Sequence, residues 1–256
     1  MVNLRKNIAR RMKSYLCRRM NIPFPEPGVP AALSPYLMKN QPIVLVDAGA
    51  SRGDFTRMIS GYSGISRGVL VEPLPDDAAK LRLLYPAPVF TVIEGALDAS
   101  PGPREFHVND FKETSSLLPI RRGIPELSGI ELGLHSVIAC RAYTLHEVLA
   151  AERIGSVDLL KLDVQGKEDD VLAGAGPSLG TVSMIWTEVS FRRLYEQSCT
   201  FFEVYARLNA AGFALMAIEP GFRAPNGELL QADALFVNNR VQRGGPRGGI
   251  DRQGER

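Results

Sequence analysis

From Gln41 onward, short apolar runs of strand length alternate with segments of helical length, and that alternation leaves this chain few folds to adopt. Ile43–Asp47 is a compact, largely apolar run, the pattern of a parallel strand buried on both faces. A helix is expected from about Gly53, a second strand at Gly68–Glu72, a helix over Asp76–Tyr85 and a third strand at Val89–Glu94. Thr144-Leu145-His146-Glu147 has capping-box spacing and should open a helix to about Arg153. Val157–Asp163 reads as the fourth strand, Lys167–Ala173 as a helix ended by Gly174 and Gly176, and Val182–Glu188 as the fifth strand. A second capping box, Thr200 to Glu203, opens a helix with an expected inward face of Phe201, Val204, Tyr205 and Leu208. Gly212 ends it, and Phe213–Ile218 and Ala232–Val237 supply two last strands. Strands that alternate with helices pair in parallel with helices on both faces, so the expected class is α/β with a doubly wound, mostly parallel, seven-stranded sheet.

The stretch 100–142 interrupts this rhythm. Glu105–Asn109 and Ser136–Arg141 look like an extra strand pair, joined by a polar loop of a length that usually serves function. Residues 41–239 are therefore expected to form the main domain. Residues 1–40 read as a basic amphipathic helix, with Leu4, Ile8, Met12, Tyr15 and Leu16 on one face, followed by a Pro-rich connector. Residues 240–256 read as a disordered Gly/Arg tail.

The net charge of +2 is unevenly spread. Cations crowd both ends, with seven Lys/Arg and no acid in the first twenty residues, so the body between them is acidic. An acidic body repels a phosphate backbone, which argues against a nucleic-acid substrate. Cys17, Cys140 and Cys199 have neither metal spacing nor an even count, as suits a reducing compartment. The N-terminus lacks the apolar stretch and small-residue cleavage site of a secretory signal, and no run reaches the length of a membrane span. The chain is expected in the cytoplasm, with residues 1–20 offering peripheral contact with an anionic inner membrane surface.

The strongest local signal is Val46-Asp47-Ala48-Gly49-Ala50-Ser51-Arg52-Gly53-Asp54-Phe55, where the first strand meets the first helix. Glycines there permit a tight turn and let a ligand lie against bare backbone. The G-x-x-x-G spacing differs from the dinucleotide fingerprint, and a pyrophosphate avoids nearby carboxylates. Asp47, Asp54 and Asp163 place acids around this point and suit a cationic ligand such as a sulfonium. Glu72 ends the second strand, where a carboxylate can accept from both ribose hydroxyls.

Those residues, together with Val71-Glu72-Pro73, Leu160-Lys-Leu-Asp-Val-Gln-Gly-Lys-Glu168, Leu172-Ala-Gly-Ala175, Glu188-Val189, Leu208-Asn-Ala-Ala-Gly-Phe213 and Asp233-Ala-Leu-Phe-Val237, resemble the FkbM family of methyltransferases over about 41–239. The resemblance implies a Rossmann-like, class I methyltransferase fold, S-adenosylmethionine as cofactor, and O-methylation of sugar or polyketide hydroxyls. It implies that Asp47, Gly49 and Gly53, with Ala50 and Ser51 of the same turn, hold the amino-acid end of the cofactor. Glu72 with Pro73 would hold its ribose, and Ala96 with Leu97 its adenine. Asp163 would lie near the transferred methyl. Gln165 departs from the family's usual Glu and Ser51 from its common Asn.

Loss of an aliphatic hydroxyl proton calls for a base, for which Asp163, His107, His135 and Glu188 are the candidates, Asp163 and His135 foremost. Ser115 and Ser116 of the long loop, with Glu188, are expected to line the acceptor pocket. Lys161 and Glu168 are a candidate ion pair bracing the Asp163 loop. No metal site is expected. The acceptor is expected to be a small molecule, sugar or glycolipid, by analogy with family members that methylate deoxysugars. A polyketide or other secondary metabolite, and a non-catalytic nucleoside-binding scaffold, are the competing alternatives.

Overall fold

The computed structural model describes residues 29–123 and 133–240. The expected N-terminal helix, the Gly/Arg tail and the middle of the long loop lie outside those residues. In chain order the elements are β1 (Ile43–Ala48), α1 (Asp54–Tyr62), β2 (Ile65–Glu72), α2 (Pro75–Leu84), β3 (Phe90–Glu94), β4 (Ala96–Leu97), β5 (Gly102–Asn109), β6 (Leu134–Tyr143), α3 (Leu145–Ala151), β7 (Val157–Leu162), α4 (Glu168–Gly174), β8 (Val182–Ser190), α5 (Phe201–Ala210), β9 (Phe213–Pro220) and β10 (Gln231–Asn238).

Seven strands form one sheet in the order β3-β2-β1-β7-β8-β10-β9. Pairing is parallel from β3 through β8, and β10 runs antiparallel to both neighbours. No helix separates β9 from β10, so the chain turns back and inserts β10 between β8 and β9. The extra strands form a second, three-stranded sheet, β4-β6-β5, with β5 and β6 antiparallel and longer than the sequence pattern suggested.

The central strands are buried on both faces. On one face, Val46, Val69, Leu160 and Ile185 pack against Leu145, Val171, Leu172, Val204 and Leu208 of α3, α4 and α5. On the other, Leu45, Leu159, Trp186 and Leu235 pack with Ile59 of α1, while Leu70 meets Leu81 of α2. The expected capping box at α3 is formed, with Glu147 N donating to Thr144 Oγ1 and Thr144 N donating to the Glu147 carboxylate. On α5 the inward stripe is narrower than expected. Val204 and Leu208 are buried, whereas Tyr205 is 39% exposed and stacks beside Phe201 on the flank. The connector also differs from expectation, because Leu33 and Leu37 are buried against the sheet and the folded unit begins before Gln41.

From β1 the chain winds outward to β2 and β3 and then returns to β7, on the other side of β1. The connections leaving β1 and β7 diverge, and the crevice at their C-terminal ends is where a sheet of this kind accepts ligands.

Candidate functional site

The turn after β1 is pinned from both sides. Gly49 N and Ala50 N donate to the Val71 carbonyl of β2, and Asp163 N donates to the Ala48 carbonyl. Gly49 has φ 74°, and a Cβ there would overlap the Asp163 carbonyl oxygen, so only glycine fits. Gly53 also has φ 74° and lies under Tyr85, whose hydroxyl donates to the Gly53 carbonyl at 2.7 Å.

Glu72 ends β2 beside this turn. Its carboxylate accepts from Ser51 N at 2.8 Å and Leu74 N at 2.9 Å while the residue is 5% exposed. Burial pushes its pKa up to about 7, against the lowering effect of those two backbone bonds. A pocket opens from Glu72, walled by Gly49, Ser51, Pro73, Leu74, Ala96 and Leu97. Asp163, Val164 and Gln165, and Phe106, Lys112, Glu113, Ser115 and Leu117 of the inserted stretch, also line it.

Behind the turn, Lys161 Nζ donates to the Gly49 carbonyl at 2.7 Å and lies 3.3 Å from Asp47 Oδ1 and 3.6 Å from Asp163 Oδ2. Burial works against the Lys161 charge, but the Asp47 and Asp163 carboxylates outweigh it and hold its pKa above the usual lysine value. Asp47 is fully buried, accepts from Thr56 Oγ1 at 2.7 Å, and does not line the pocket. Its carboxylate braces the turn through Lys161. The expected pair between Lys161 and Glu168 does not form. Glu168 turns under the loop after β7, accepting from Val164 N, Gly166 N and Cys199 Sγ.

The Gln165 amide bridges two carboxylates from different parts of the chain. Its Nε2 donates to Asp163 Oδ1 at 2.6 Å and to Glu188 Oε2 at 3.0 Å. Carboxylates can only accept, which fixes the amide orientation. Its Oε1 accepts from the Tyr195 hydroxyl at 2.7 Å, and that hydroxyl also lies 2.8 Å from the Thr114 carbonyl.

Of the residues singled out from the sequence, Gly49, Ser51, Glu72, Pro73, Ala96, Leu97, Asp163 and Ser115 meet in one pocket. Ala50 and Gly53 shape the turn without lining it. Ser116, adjacent to Ser115, points inward, where its Oγ donates to the Gln165 carbonyl at 2.8 Å and accepts from Leu118 N. Glu188 stands behind Gln165 and is absent from the pocket wall. His135 corrects the expectation of a base most clearly: its side chain is 70% exposed, 3.7 Å from Asp110 Oδ1, and outside the pocket. His107 does not face solvent; it is half-buried, with Nδ1 enclosed. Asp54 pairs with Arg57 away from the mouth, so the acids lining the pocket are Glu72, Asp77, Glu113 and Asp163, against the cations Lys112 and Lys167.

Asp77, Phe106 and Lys167 are pocket residues that sequence reasoning missed. Phe106 was the most accessible of them, since it alternates with the outward-facing Glu105 along β5. Lys167 is held between Asp98 and Asp170 at 2.8 Å each.

Residues 47–215 match the methyltransferase FkbM domain. The 2-O-methyltransferase NoeI of Sinorhizobium fredii is 30% identical over 166 residues, which are 62% of this chain and 68% of NoeI. Among solved structures, a methyltransferase FkbM from Methylobacillus flagellatus superposes with a TM-score of 0.46 at 12% identity, over 81% of this chain and 48% of that one. This chain thus spans about half of that structure's length. A structure titled as a putative S-adenosylmethionine-dependent methyltransferase from Listeria monocytogenes has the same TM-score, 0.46, at 8% identity, over 80% of this chain and 95% of that one.

Proposed function

This chain belongs to the FkbM methyltransferase family, and from that premise we propose that it transfers a methyl group from S-adenosylmethionine to a hydroxyl of a sugar, free or carried on an oligosaccharide or glycolipid. The observation that carries this proposal is the Glu72 carboxylate. It is almost fully buried, oriented by Ser51 N and Leu74 N, and opens on a pocket. A desolvated carboxylate in that position needs donors, and a ribose diol supplies two.

The rest of the pocket fits the same nucleoside. Ala96 and Leu97 offer an apolar wall for an adenine, and the bare backbone at Gly49 leaves room for an amino-acid tail. Four lining carboxylates against two ammonium groups favour a ligand with a cationic centre. When bound, the cofactor supplies an electrophilic methyl group on a positively charged sulfur. The protein's own contribution is alignment and proton removal. Holding two reacting groups in line contributes on the order of 7–11 kcal/mol. In this reading Asp163, which lines the pocket just after β7, takes the proton from the acceptor hydroxyl.

The hydroxyl acceptor is supported by the O-methylating relative, and the sugar class by the sequence resemblance. The basic residues 1–20 would add affinity for a glycan anchored at an anionic membrane. Incubation with methyl-labelled S-adenosylmethionine and fractionated glycolipid and oligosaccharide extracts tests the proposal. Label recovered as a sugar methyl ether supports it. Label transferred only to non-glycan metabolites contradicts the acceptor class, and absence of cofactor binding contradicts the whole.

A further inference from the structure

Asp163 follows β7 and Glu188 lies on β8, yet both meet the single NH2 group of Gln165, at 2.6 and 3.0 Å. Two carboxylates that meet the same side chain repel each other when both ionise. Here each receives its own hydrogen from one neutral amide. The amide cannot turn over, since its oxygen faces the Tyr195 hydroxyl and its nitrogen faces groups that only accept. The backbone is held as firmly: Gln165 has φ 55°, unusual for a residue with a side chain, and its carbonyl accepts from Ser116 Oγ.

We propose that Gln165 is a positioning residue that holds Asp163 and Glu188 side by side with both ionised, so that Asp163 faces the acceptor ready to take its proton. This deepens the proposed function and rests on its placement of Asp163 beside the reacting hydroxyl. As the acceptor oxygen bonds to the methyl group, the sulfur keeps the electron pair of the bond it loses, and the hydroxyl proton passes to the Asp163 carboxylate. A carboxylate that already held a proton would be useless for this step. Surrounding charges act on the same pair. Lys161 lies 3.6 Å from Asp163 with Asp47 beyond it, Glu168 lies beneath the loop, Gln231 donates to Glu188 at 2.7 Å, and Asp233 is opposite Glu188 on β10. Lys167 shares the pocket wall with Asp163. Gln165 is the member of this group that touches both carboxylates.

The near-isosteric variant Gln165→Glu tests the proposal, because it keeps the side-chain length while removing both donors and adding a third carboxylate. Carboxyl-carbon NMR on protein labelled at Asp and Glu reads the outcome with neither cofactor nor acceptor present. The expected result is one carboxyl group of the cluster retaining its proton at least one pH unit above the last protonation seen in the native protein. Gln165→Glu combined with Glu188→Gln restores the native number of charges and should return the titration toward the native one. In the transfer assay, the acidic limb of kcat should move upward in Gln165→Glu by the same margin, with KM for the cofactor within about twofold. Tyr195→Phe removes the restraint on the amide without changing carboxylate number, and should lower kcat while leaving the acidic limb in place. If Gln165→Glu does not fold, Gln165→Ala exposes the two carboxylates to each other and should raise their titration as well. An unmoved titration in a folded variant overturns the proposal and leaves only a structural tie between the loop after β7 and β8. A moved titration in a protein that transfers no methyl group upholds the amide's effect on the pair but overturns its assignment to this reaction, together with the proposed function.

Discussion

The carbonyl oxygen of Asp163 fills the space into which any side chain at Gly49 would project. The end of β7 and the turn after β1 are thereby locked together, so the proposed base and the proposed cofactor turn share one rigid frame. Gly49→Ala must either push them apart or abandon φ 74°. Strain of that kind costs about 1–3 kcal/mol. Urea unfolding should show a loss of that size, and calorimetry should show cofactor affinity reduced more than tenfold. Native-like stability and affinity would mean that the two segments are not rigidly coupled.

Glu72 sets a pH dependence. Its folded pKa of about 7 lies above the ordinary carboxylate value of 4.5, so the native protein binds more protons than the unfolded chain between those values. The associated stabilisation is fully present below about 4.5 and is lost as pH rises through 7. Ribose hydroxyls donate to the ionised form, so cofactor binding should weaken about tenfold per pH unit below 7 and release protons near that pH. Calorimetry between pH 5.5 and 8, in buffers of different ionisation enthalpy, measures both effects; Glu72→Gln should abolish the dependence.

Lys161 neutralises Asp47 inside the protein. Removing one partner of a buried pair costs about 3–5 kcal/mol, so Lys161→Met should destabilise the fold by that amount. Lys161→Met with Asp47→Asn should recover more than half of the loss, because no buried charge is then left alone. Additive losses in the double-mutant cycle would show that the pair does not interact.

His135 and Asp163 were both candidate bases, and the structure separates them. His135→Ala should leave kcat within about twofold, because its side chain is exposed and lies outside the pocket. Asp163→Asn should lower kcat by about 10²–10⁴-fold, the usual contribution of a positioned base. The comparison needs only steady-state rates on one acceptor.

Ser115 and Ser116 show how far a sequence can be read in this region. The strand and helix alternation, the glycine turn and Glu72 were legible because each depends on local periodicity or turn chemistry. Which of two adjacent serines faces the pocket depends on contacts with Asn109 and Gln165, one of them 49 residues away. Glu168, nearby in sequence, is a candidate partner for Lys161. Strand register instead sets Lys161 opposite Asp47, and register between β1 and β7 is a nonlocal property. The insertion of β10 between β8 and β9 is nonlocal in the same way. The resemblance implies a ligand role for Asp47; its burial and its ion pair with Lys161 depend on packing that the sequence does not display.

The most direct test is a crystal structure of the protein with S-adenosylhomocysteine. Ribose hydroxyls within hydrogen-bond reach of the Glu72 carboxylate, with the adenine against Ala96 and Leu97, are the expected result. A nucleoside bound away from Glu72, or a pocket empty at saturating ligand, would contradict the assignment.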